Sequence, residues 1–317
     1  MTDATSGYES KIITVTFSPC LDKSTSVSAL VPDKKLKCAS PIVEPGGGGI
    51  NVSRVLKKLG SDSTAVYLSG GYTGKYFDKL LADEQIKCLI IPTAQETREN
   101  IIIFDDSSKK QYRLGMPGNE VAESEYRRCL SEIASIKYLD YIVASGSLPP
   151  GVPSDIFARL AVIAKDKGAK LIVDTSGLPL KSAIDTGVFL IKPNIDELGT
   201  LTGKENISIE NVEAVAKILL NQNKCQVIVV SMGPEGAILV TKEKSYRVKP
   251  PPVEKKSTVG AGDSMVAGLV FSLSTGKDLE YALQFGVACG TAATMNPGTE
   301  LCHKSDVYQL LDIIRGY

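Results

Sequence analysis

Two glycine-rich turns stand where backbone amide groups could bind an anion or another polar ligand. One is the run of four glycines at positions 46–49, and the other is the Gly-Ala-Gly turn at positions 260–262. A helical pattern of apolar residues follows each turn. Each turn would therefore lie at a helix N-terminus, where N–H groups are unpaired and the helix dipole is positive.

An acidic residue, Asp263, directly follows the second turn. Its carboxylate could act as a general base on a substrate hydroxyl, while the amides of Gly260, Ala261 and Gly262 hold a transferring phosphoryl group. The same carboxylate could instead serve only as a favourable charge in the first turn of the helix. The two interpretations are physically compatible, and the pattern leaves both open.

A third polar cluster lies where a predicted strand ends, in the sequence LIKPNIDEL at positions 190–198. Asn194 and Glu197 are three residues apart at this strand-to-helix corner, and oxygen ligands of this kind suit Mg²⁺ through its water shell. They could equally form a helix N-cap with an acidic first turn. A fourth segment, VVSMGPEGAIL at positions 229–239, indicates by itself only a hairpin.

Two common nucleotide-binding motifs are missing from the sequence. A dinucleotide fingerprint needs glycine at the first, third and sixth positions of its turn, and counted from Gly46 the sixth position is Asn51. The nearest approach to a Walker A loop, SGGYTGKY at positions 69–76, has serine at the first glycine and tyrosine in place of the final Ser or Thr. The sequence thus argues against a dinucleotide dehydrogenase and against a P-loop enzyme.

The elements that must position these residues alternate along the chain. Short apolar runs, such as those at positions 12–17, 64–68, 141–146, 170–175 and 226–231, alternate with helical patterns. Strands that are apolar throughout are those buried on both faces. This alternation predicts an α/β fold with a mostly parallel sheet and helices on both sides.

Two segments, at positions 23–44 and 98–114, depart from this rhythm because polar and apolar residues alternate in them. We interpret them as antiparallel strands of a small, half-exposed sheet outside the main one. Such a sheet could form a lid over the C-terminal ends of the central strands, where α/β proteins bind ligands. We expect one large domain that spans residues 1–317.

Composition favours a globular protein that binds small molecules. The 317 residues are 43% hydrophobic, and 36 Lys and Arg balance 36 Asp and Glu, so no global field favours nucleic acid or an acidic membrane. The seven cysteines form no C-x-x-C pair, which fits reduced thiols in the cytoplasm better than disulfides. The N-terminal residues contain no apolar run for export. His303 is the only histidine, so we treat it as a surface residue rather than a catalytic one.

Taken together, four motifs resemble those of the ribokinase-like carbohydrate kinases, and within them the phosphofructokinase B branch. They are GGGGIN at 46–51, NIDE at 194–197, SMGPEG at 231–236 and STVGAGDS at 257–264. Each motif is weak alone, but their order and spacing are specific in combination. The resemblance covers essentially the whole chain and implies a three-layer α/β sandwich with a small β-sheet lid.

Three further segments, FSPCLD, QYRLGMPG and SGSLPPG, look like those of bacterial B-type 6-phosphofructokinases. The related 1-phosphofructokinases and tagatose-6-phosphate kinases usually carry lysine as the third residue of the first turn, where this chain has Gly48. The resemblance therefore implies ATP-dependent phosphorylation of the 1-hydroxyl of fructose 6-phosphate, with Asp263 as the base. A kinase for tagatose 6-phosphate or fructose 1-phosphate is the alternative.

The resemblance also implies which residues bind the sugar phosphate. The residues implied for the sugar itself are Asp22, Gly47, Gly48 and Asn51. The residues implied for the phosphate already on the sugar are Arg98, Lys35 and Ser147. An arginine fork matches phosphate oxygens, and a lysine adds a point charge, so the implied roles agree with the residue types.

Nucleotide and cation sites are implied in the same way. The residues implied for ATP are Lys192, Asn194, Ser231, Gly233 and Gly236, with Glu197 holding Mg²⁺ through water. The residues implied for a monovalent cation, typically potassium, are Ser257, Val259, Ala293, Asn296 and Gly298. In many relatives arginine stands where this chain has Glu300.

The implied partners are ATP, a phosphorylated ketohexose and a second copy of the chain that docks through the lid. An apolar sheet face left open by the alternating strands would form that interface. Neither nucleic acid nor a membrane is an expected partner. A non-catalytic sugar-phosphate sensor is a rival, but such a protein has no need of a carboxylate beside an anion-binding turn.

Overall fold

The computed structural model describes residues 11–222 and 225–316. The N-terminal segment, on which the expectation of no export sequence depends, lies outside the described residues. The strands are β1 Ile12–Thr16, β2 Cys20–Val27, β3 Ile42–Gly46, β4 Thr64–Ser69, β5 Lys87–Pro92, β6 Arg98–Asp105, β7 Lys110–Gly115, β8 Tyr141–Ser145, β9 Lys170–Asp174, β10 Val188–Ile191, β11 Cys225–Ser231, β12 Ala237–Val240 and β13 Ser245–Val248. The α-helices are α1 Gly48–Leu59, α2 Gly71–Asp83, α3 Glu123–Ser135, α4 Ile156–Lys167, α5 Gly177–Thr186, α6 Ile195–Thr202, α7 Val212–Gln222, α8 Ala261–Ser274, α9 Leu279–Thr294 and α10 Lys304–Arg315.

The central sheet has nine strands in the order β13-β12-β11-β10-β9-β8-β1-β4-β5. Neighbouring strands from β11 to β5 are parallel, whereas β12 and β13 extend one edge in antiparallel fashion. All residues of β1 and β8 are buried, as expected for strands covered on both faces. The predicted mostly parallel sheet is confirmed.

Helices cover both faces of this sheet, because each helix has one apolar face. Phe157 of α4 and Leu219 of α7 belong to the core on one side. Leu56 of α1 and Phe285 of α9 belong to the core on the other side. The three-layer arrangement expected from the sequence is therefore present, and the C-terminal ends of the parallel strands open toward the small sheet.

The small sheet has the strand order β3-β2-β6-β7. As predicted, β2 pairs with β3 and β6 pairs with β7 in antiparallel fashion. Two details of the sequence-based interpretation are wrong. Strands β2 and β6 pair in parallel rather than antiparallel fashion, and positions 28–41 between β2 and β3 form no strand. That stretch contains Pro32 and Pro41, which lack an N–H group for a strand ladder, so the chain leaves the sheet there.

Two further observations concern the cysteines and the length of the helices. All seven cysteines have free thiols, in agreement with the expected reduced state. Within residues 11–222 and 225–316, no helix combines the length and apolar character needed to cross a bilayer.

Candidate active site

The first glycine turn lies where β3 ends and α1 begins, beside the acidic residue of β2. A side chain at position 46 would overlap the carboxylate of Asp22, which is 6% exposed. Gly47 has a φ of 116°, which favours glycine, and caps α1. The bare backbone therefore makes room for a buried carboxylate and starts the helix that carries Asn51.

A cavity of about 260 Å³ lies between the small sheet and this turn. The predicted residues that line it are Asp22, Gly47, Gly48, Asn51, Arg98, Gly260 and Asp263. They come from β2, α1, β6 and the start of α8. The structure thus brings together the first glycine turn, the second glycine turn and the small sheet, which are far apart in the sequence.

Asp22 and Arg98 are held in place by neighbours from the small sheet. The Asp22 carboxylate accepts hydrogen bonds from Asn100 Nδ2 at 2.9 Å and from the Cys20 thiol at 3.2 Å. Arg98 donates to the carbonyl oxygens of Met116 at 3.0 Å and Ser18 at 3.2 Å, while its buried Nε has no partner among the described residues. The pKa of Asp22 is raised, because the effect of burial outweighs the opposite effect of these hydrogen bonds. The Nε of Arg98 is thus a donor without a protein partner, in a residue that lines the cavity.

Asp263 lies in the first turn of α8, directly behind the turn at Gly260. Its Oδ2 accepts a hydrogen bond from Asn51 Nδ2 at 2.8 Å. The other amide atom, Asn51 Oδ1, is buried without a protein partner, so it can accept a hydrogen bond from a ligand. Burial raises the pKa of Asp263 to about 6, and the nearby charge of Asp174 acts in the same direction. Such a pKa suits a base that works near neutral pH.

An ion pair that the sequence analysis missed lies beside this carboxylate. Lys192 Nζ is 3.2 Å from Asp174 Oδ1, and both side chains are largely buried. Burial lowers the pKa of Lys192, but the charges of Asp174, Glu197 and Asp263, together with the hydrogen bond to Asp174, outweigh burial, so the net pKa is raised. Lys192 Nζ also lies near Gly262. Asp174 ends the apolar strand β9, and that position at a strand C-terminus was the signal that could have identified it.

A second, larger cleft of about 740 Å³ lies on the other side of the second glycine turn. It is lined by the predicted Ser231, Gly233 and Gly236, and by Ala261 and Gly262. Lys192 and Asn194 do not line it. Its remaining walls, which the sequence analysis did not predict, include Val253, Val287, Gly290, Thr291 and Thr294. Residues 250–252, interpreted from sequence only as a stiff connector, form part of its rim.

The strand-to-helix corner at Asn194 is a helix cap. Asn194 Oδ1 accepts from Glu197 N, and Glu197 Oε2 accepts from Asn194 N, both at 2.8 Å. The capping interpretation left open by the sequence therefore holds. Among the described residues there is no group of three or more His, Cys, Asp or Glu side chains that could hold a metal. Glu197 retains one unoccupied carboxylate oxygen, which fits a metal held by one carboxylate, water and substrate phosphates.

The residues expected to hold a monovalent cation come together near the second turn. Ser257 Oγ donates to the Gly298 carbonyl at 3.0 Å and accepts from Val259 N at 3.2 Å. The Ala293 carbonyl accepts from Asn296 N at 3.3 Å. Each of these carbonyl oxygens keeps a second lone pair, so the two segments fit a cation bound by backbone oxygens.

Three side chains differ from the sequence-based picture of the phosphate site. Lys35 and Ser147 are exposed and do not line the cavity, so their roles stay predictions. Arg113 of β7, which the sequence analysis did not select, does line it. Burial raises the pKa of both Asp22 and Asp263, and the Arg113 charge offsets part of this effect. An arginine in the second predicted segment of the small sheet was the available signal.

Comparisons with known proteins agree with this geometry. Residues 16–306 match the pfkB family carbohydrate kinases. The chain is 40% identical over 301 residues to ATP-dependent 6-phosphofructokinase isozyme 2 of Escherichia coli (strain K12), covering 95% of this chain and 97% of that protein. It is 34% identical to a 1-phosphofructokinase of Borreliella burgdorferi, covering 96% and 97% of the two chains.

Solved structures show the same fold. Phosphofructokinase-2 from Escherichia coli in complex with potassium superposes with a TM-score of 0.93 at 40% identity, over 97% of this chain and 100% of that chain. The tetrameric inhibited form of the same bacterial protein superposes with a TM-score of 0.91 at 39% identity, over 97% and 100%. Both similarities extend over the central sheet and the small sheet alike.

Proposed function

The chain belongs to the pfkB family of carbohydrate kinases, and we propose that it is an ATP-dependent 6-phosphofructokinase. One observation carries this proposal: the N-terminus of α8 separates two cavities and contributes to both. Gly260 and Asp263 line the smaller cavity, whereas Ala261 and Gly262 line the larger cleft. A sugar in the first and a nucleotide in the second would therefore meet at one helix N-terminus.

Asp263 is the proposed general base. Its carboxylate accepts the proton of the sugar 1-hydroxyl as that oxygen attacks the γ-phosphorus of ATP, and ADP departs. Asn51 holds one carboxylate oxygen, which leaves the other for the hydroxyl. The amides of Gly260 and Gly262 donate to the phosphoryl oxygens, where negative charge accumulates in the transition state. Ala261 N donates to the Thr258 carbonyl at 3.4 Å and would exchange this long bond for a phosphoryl oxygen.

The phosphate already on the sugar would be bound by arginines of the small sheet. Arg98 and Arg113 both line the smaller cavity, and together they supply the positive charge that a bound phosphate needs. Asp22, beside the first glycine turn, would accept hydrogen bonds from the sugar hydroxyls. This division places the reacting end of the sugar at Asp263 and its phosphate end under the small sheet.

ATP would occupy the larger cleft together with Mg²⁺, which neutralises phosphate charge. Glu197 is the residue proposed to hold the metal through water, and Lys192 would contribute its charge near Gly262. The segments at Ser257 and Gly298 are proposed to hold a potassium ion. These residues fit the ions because Glu197 has one carboxylate oxygen without a hydrogen bond among the described residues, and the carbonyl oxygens of Ala293 and Gly298 each keep a lone pair.

Fructose 6-phosphate is favoured over fructose 1-phosphate and tagatose 6-phosphate because Gly48 occupies the place of a lysine in the first turn. A side chain at that position would overlap Ser145, so the turn has no room for one. A kinase for another phosphosugar is the second candidate, because the chain is also similar to a 1-phosphofructokinase. We also propose a cytoplasmic dimer joined through the small sheet.

Product analysis tests the proposed reaction. Incubation of the protein with MgATP and fructose 6-phosphate, followed by ³¹P NMR, should show ADP and a second sugar phosphomonoester on carbon 1. The Asp263→Asn variant should form this product at least about 100-fold more slowly, the usual contribution of a positioned base. Phosphate release without a new sugar phosphate, or near-normal turnover by the variant, would contradict the proposal.

A further inference from the structure

Arg54 of α1 has a buried guanidinium that joins this helix to three other parts of the fold. Its side chain is 4% exposed. Nε and Nη2 donate to the Glu84 carboxylate at 2.7 to 3.0 Å, and Nη2 also donates to Glu44 at 3.3 Å. Nη1 donates to the carbonyls of Pro45 at 3.1 Å and Thr299 at 3.4 Å. One cation thus links α1, the end of α2, strand β3 and the segment after α9.

The segment at positions 296–302 is attached to β3 and to α1 by two more bonds. Thr299 Oγ1 donates to the Glu44 carboxylate, which is itself paired with Arg54. Lys58, one turn further along α1, donates to the Glu300 carbonyl. Since these bonds join residues more than 240 positions apart, they fix where the segment lies relative to α1.

Leu301, which belongs to this segment, contacts the second glycine turn. Its φ is 67°, in the left-handed region, and its side chain is buried against Gly260. Gly260 caps α8 with a φ of 71°, and any side chain there would overlap Leu301. Asn296 Nδ2 holds the Leu301 carbonyl at 2.8 Å. The strained backbone at Leu301 persists only while its surroundings hold it.

We propose that Arg54 is a positioning residue for phosphoryl transfer. It holds the segment at 296–302 so that Leu301 fixes the turn at Gly260, and this turn leads directly into Asp263. Helix α1, which carries Arg54, also contacts Asp263 directly, through Asn51. Arg54 therefore acts through α1 and through Leu301 on the geometry of one helix N-terminus. This inference rests on the proposed function.

The position requires an arginine because the guanidinium donates in three directions at once. A lysine would keep the charge but could not bond Glu84, Pro45 and Thr299 together. The groups that Arg54 positions act in the transition state, whereas the arginines proposed to bind the sugar phosphate lie on the small sheet. Replacement should therefore lower kcat more than it raises KM.

Steady-state kinetics and hydrogen exchange of three variants test this role. Arg54→Lys should lower kcat about 10-fold and change KM for both substrates less than about threefold, because a 1 Å displacement of reacting groups costs rate rather than binding. Thr299→Val, which removes only the bond to Glu44, should lower kcat in the same direction. Glu84→Gln is the matched control, because it weakens the ion pair of Arg54 but leaves Thr299 in place, and should lower Tm while kcat stays within about twofold.

Amide exchange followed by mass spectrometry gives a readout that is independent of turnover. Peptides that cover positions 257–264 and 296–302 should exchange faster in Arg54→Lys and Thr299→Val but not in Glu84→Gln. The kinetic comparison uses whichever ketose phosphate the wild-type protein phosphorylates fastest, so a wrong sugar assignment shows in the wild type alone. If Glu84→Gln loses as much kcat as Arg54→Lys, or if Thr299→Val changes neither kcat nor exchange, Arg54 is only structural and the inference fails.

Discussion

At the scale of single residues, Asp263, the proposed base, shows how a buried carboxylate can cost folding free energy. Its pKa is raised from 3.8 to about 6, chiefly because burial disfavours the charged form. A carboxyl whose pKa is higher in the folded state than in the unfolded state stabilises the fold only while it is protonated. The protein therefore loses stability as pH rises from about 4 to about 6, by roughly 3 kcal/mol in total for two pKa units, and the cost stays constant at higher pH.

The Asp263→Asn variant should show this cost directly. In the absence of ligands, its Tm should exceed that of the wild type by a few degrees at about pH 8, and this advantage should disappear near about pH 4. Wild-type kcat/KM should fall below about pH 6 because the base must be ionised. Thermal melts at several pH values measure the first effect, and a pH–rate profile measures the second.

Asp278→Asn is the matched control for that variant, because Asp278 also stands at a helix N-terminus, where it caps α9 by accepting from Tyr281 N. It should leave kcat within about twofold and should not raise Tm at any pH. A Tm for Asp263→Asn that is equal to or below the wild-type value at alkaline pH would show that burial of the charge carries no cost.

Arg98 should determine affinity for the sugar phosphate. Arg98→Ala should raise KM for fructose 6-phosphate at least about 10-fold, since each hydrogen bond to a charged group contributes roughly 1.5 to 3 kcal/mol. KM for ATP should change less than about twofold, because Arg98 lies outside the larger cleft. Arg127→Ala, which removes an exposed arginine of α3, is the control. An equal rise in both KM values for Arg98→Ala would remove its assignment to the phosphate.

At the scale of elements, the walls of the larger cleft, proposed to bind ATP, come from segments that no single motif contains. Strand β11, the proline segment at 250–252 and helix α9 contribute to it together. The turn of α8 was predictable because glycines before a helix are a local signal, whereas SMGPEG was assigned to ATP only through its resemblance to the family motif. The contribution of α9 could not be predicted from the sequence. Its apolar pattern is that of any buried helix, and only tertiary packing places one face of it in the cleft.

A substitution on α9 tests the location of the nucleotide. Thr291→Phe would place a large side chain in the cleft that Thr291 lines. KM for ATP should rise at least about 10-fold, whereas KM for the sugar phosphate should stay within about threefold, because the smaller cavity lies across α8. Steady-state kinetics with each substrate varied in turn measure both values. A rise confined to the sugar phosphate would reverse the assignment of the two cavities.

The small sheet shows where prediction from sequence stops. Alternating polar and apolar residues identified both segments, and the ends of β6 and β7 agree with the prediction within a residue or two. The parallel pairing of β2 with β6 was not predictable, since alternation sets which face a side chain occupies but not the direction of the partner strand. Arg113 was missed for a related reason: its place over the cavity depends on that pairing.

At the scale of the whole molecule, one face of the small sheet leaves apolar side chains exposed. Tyr112 is 41% exposed and Leu114 is 46% exposed, and they share a face because they are two residues apart on β7. Large apolar side chains grouped on a sheet face are typical of an interface. This surface supports the proposed dimer, in which two small sheets would cover each other.

Acidic substitutions on this face test the assembly. Tyr112→Glu combined with Leu114→Glu should convert a dimer into a monomer at micromolar concentration, because burial of two unpaired carboxylates opposes association. Light scattering measures the mass. Leu178→Glu is the control, since Leu178 is 69% exposed at the start of α5, outside the small sheet. A monomeric wild-type protein, or a double variant that remains dimeric, would contradict the proposed interface.

The most direct test of the account is a comparison of kcat/KM for four acceptors with MgATP: fructose 6-phosphate, tagatose 6-phosphate, fructose 1-phosphate and fructose. We predict the highest value for fructose 6-phosphate. Fructose should be lower by at least about 100-fold, because it cannot pair with Arg98 and Arg113. A higher kcat/KM for either of the other phosphosugars, or for fructose itself, would contradict the assignment of this protein as a 6-phosphofructokinase.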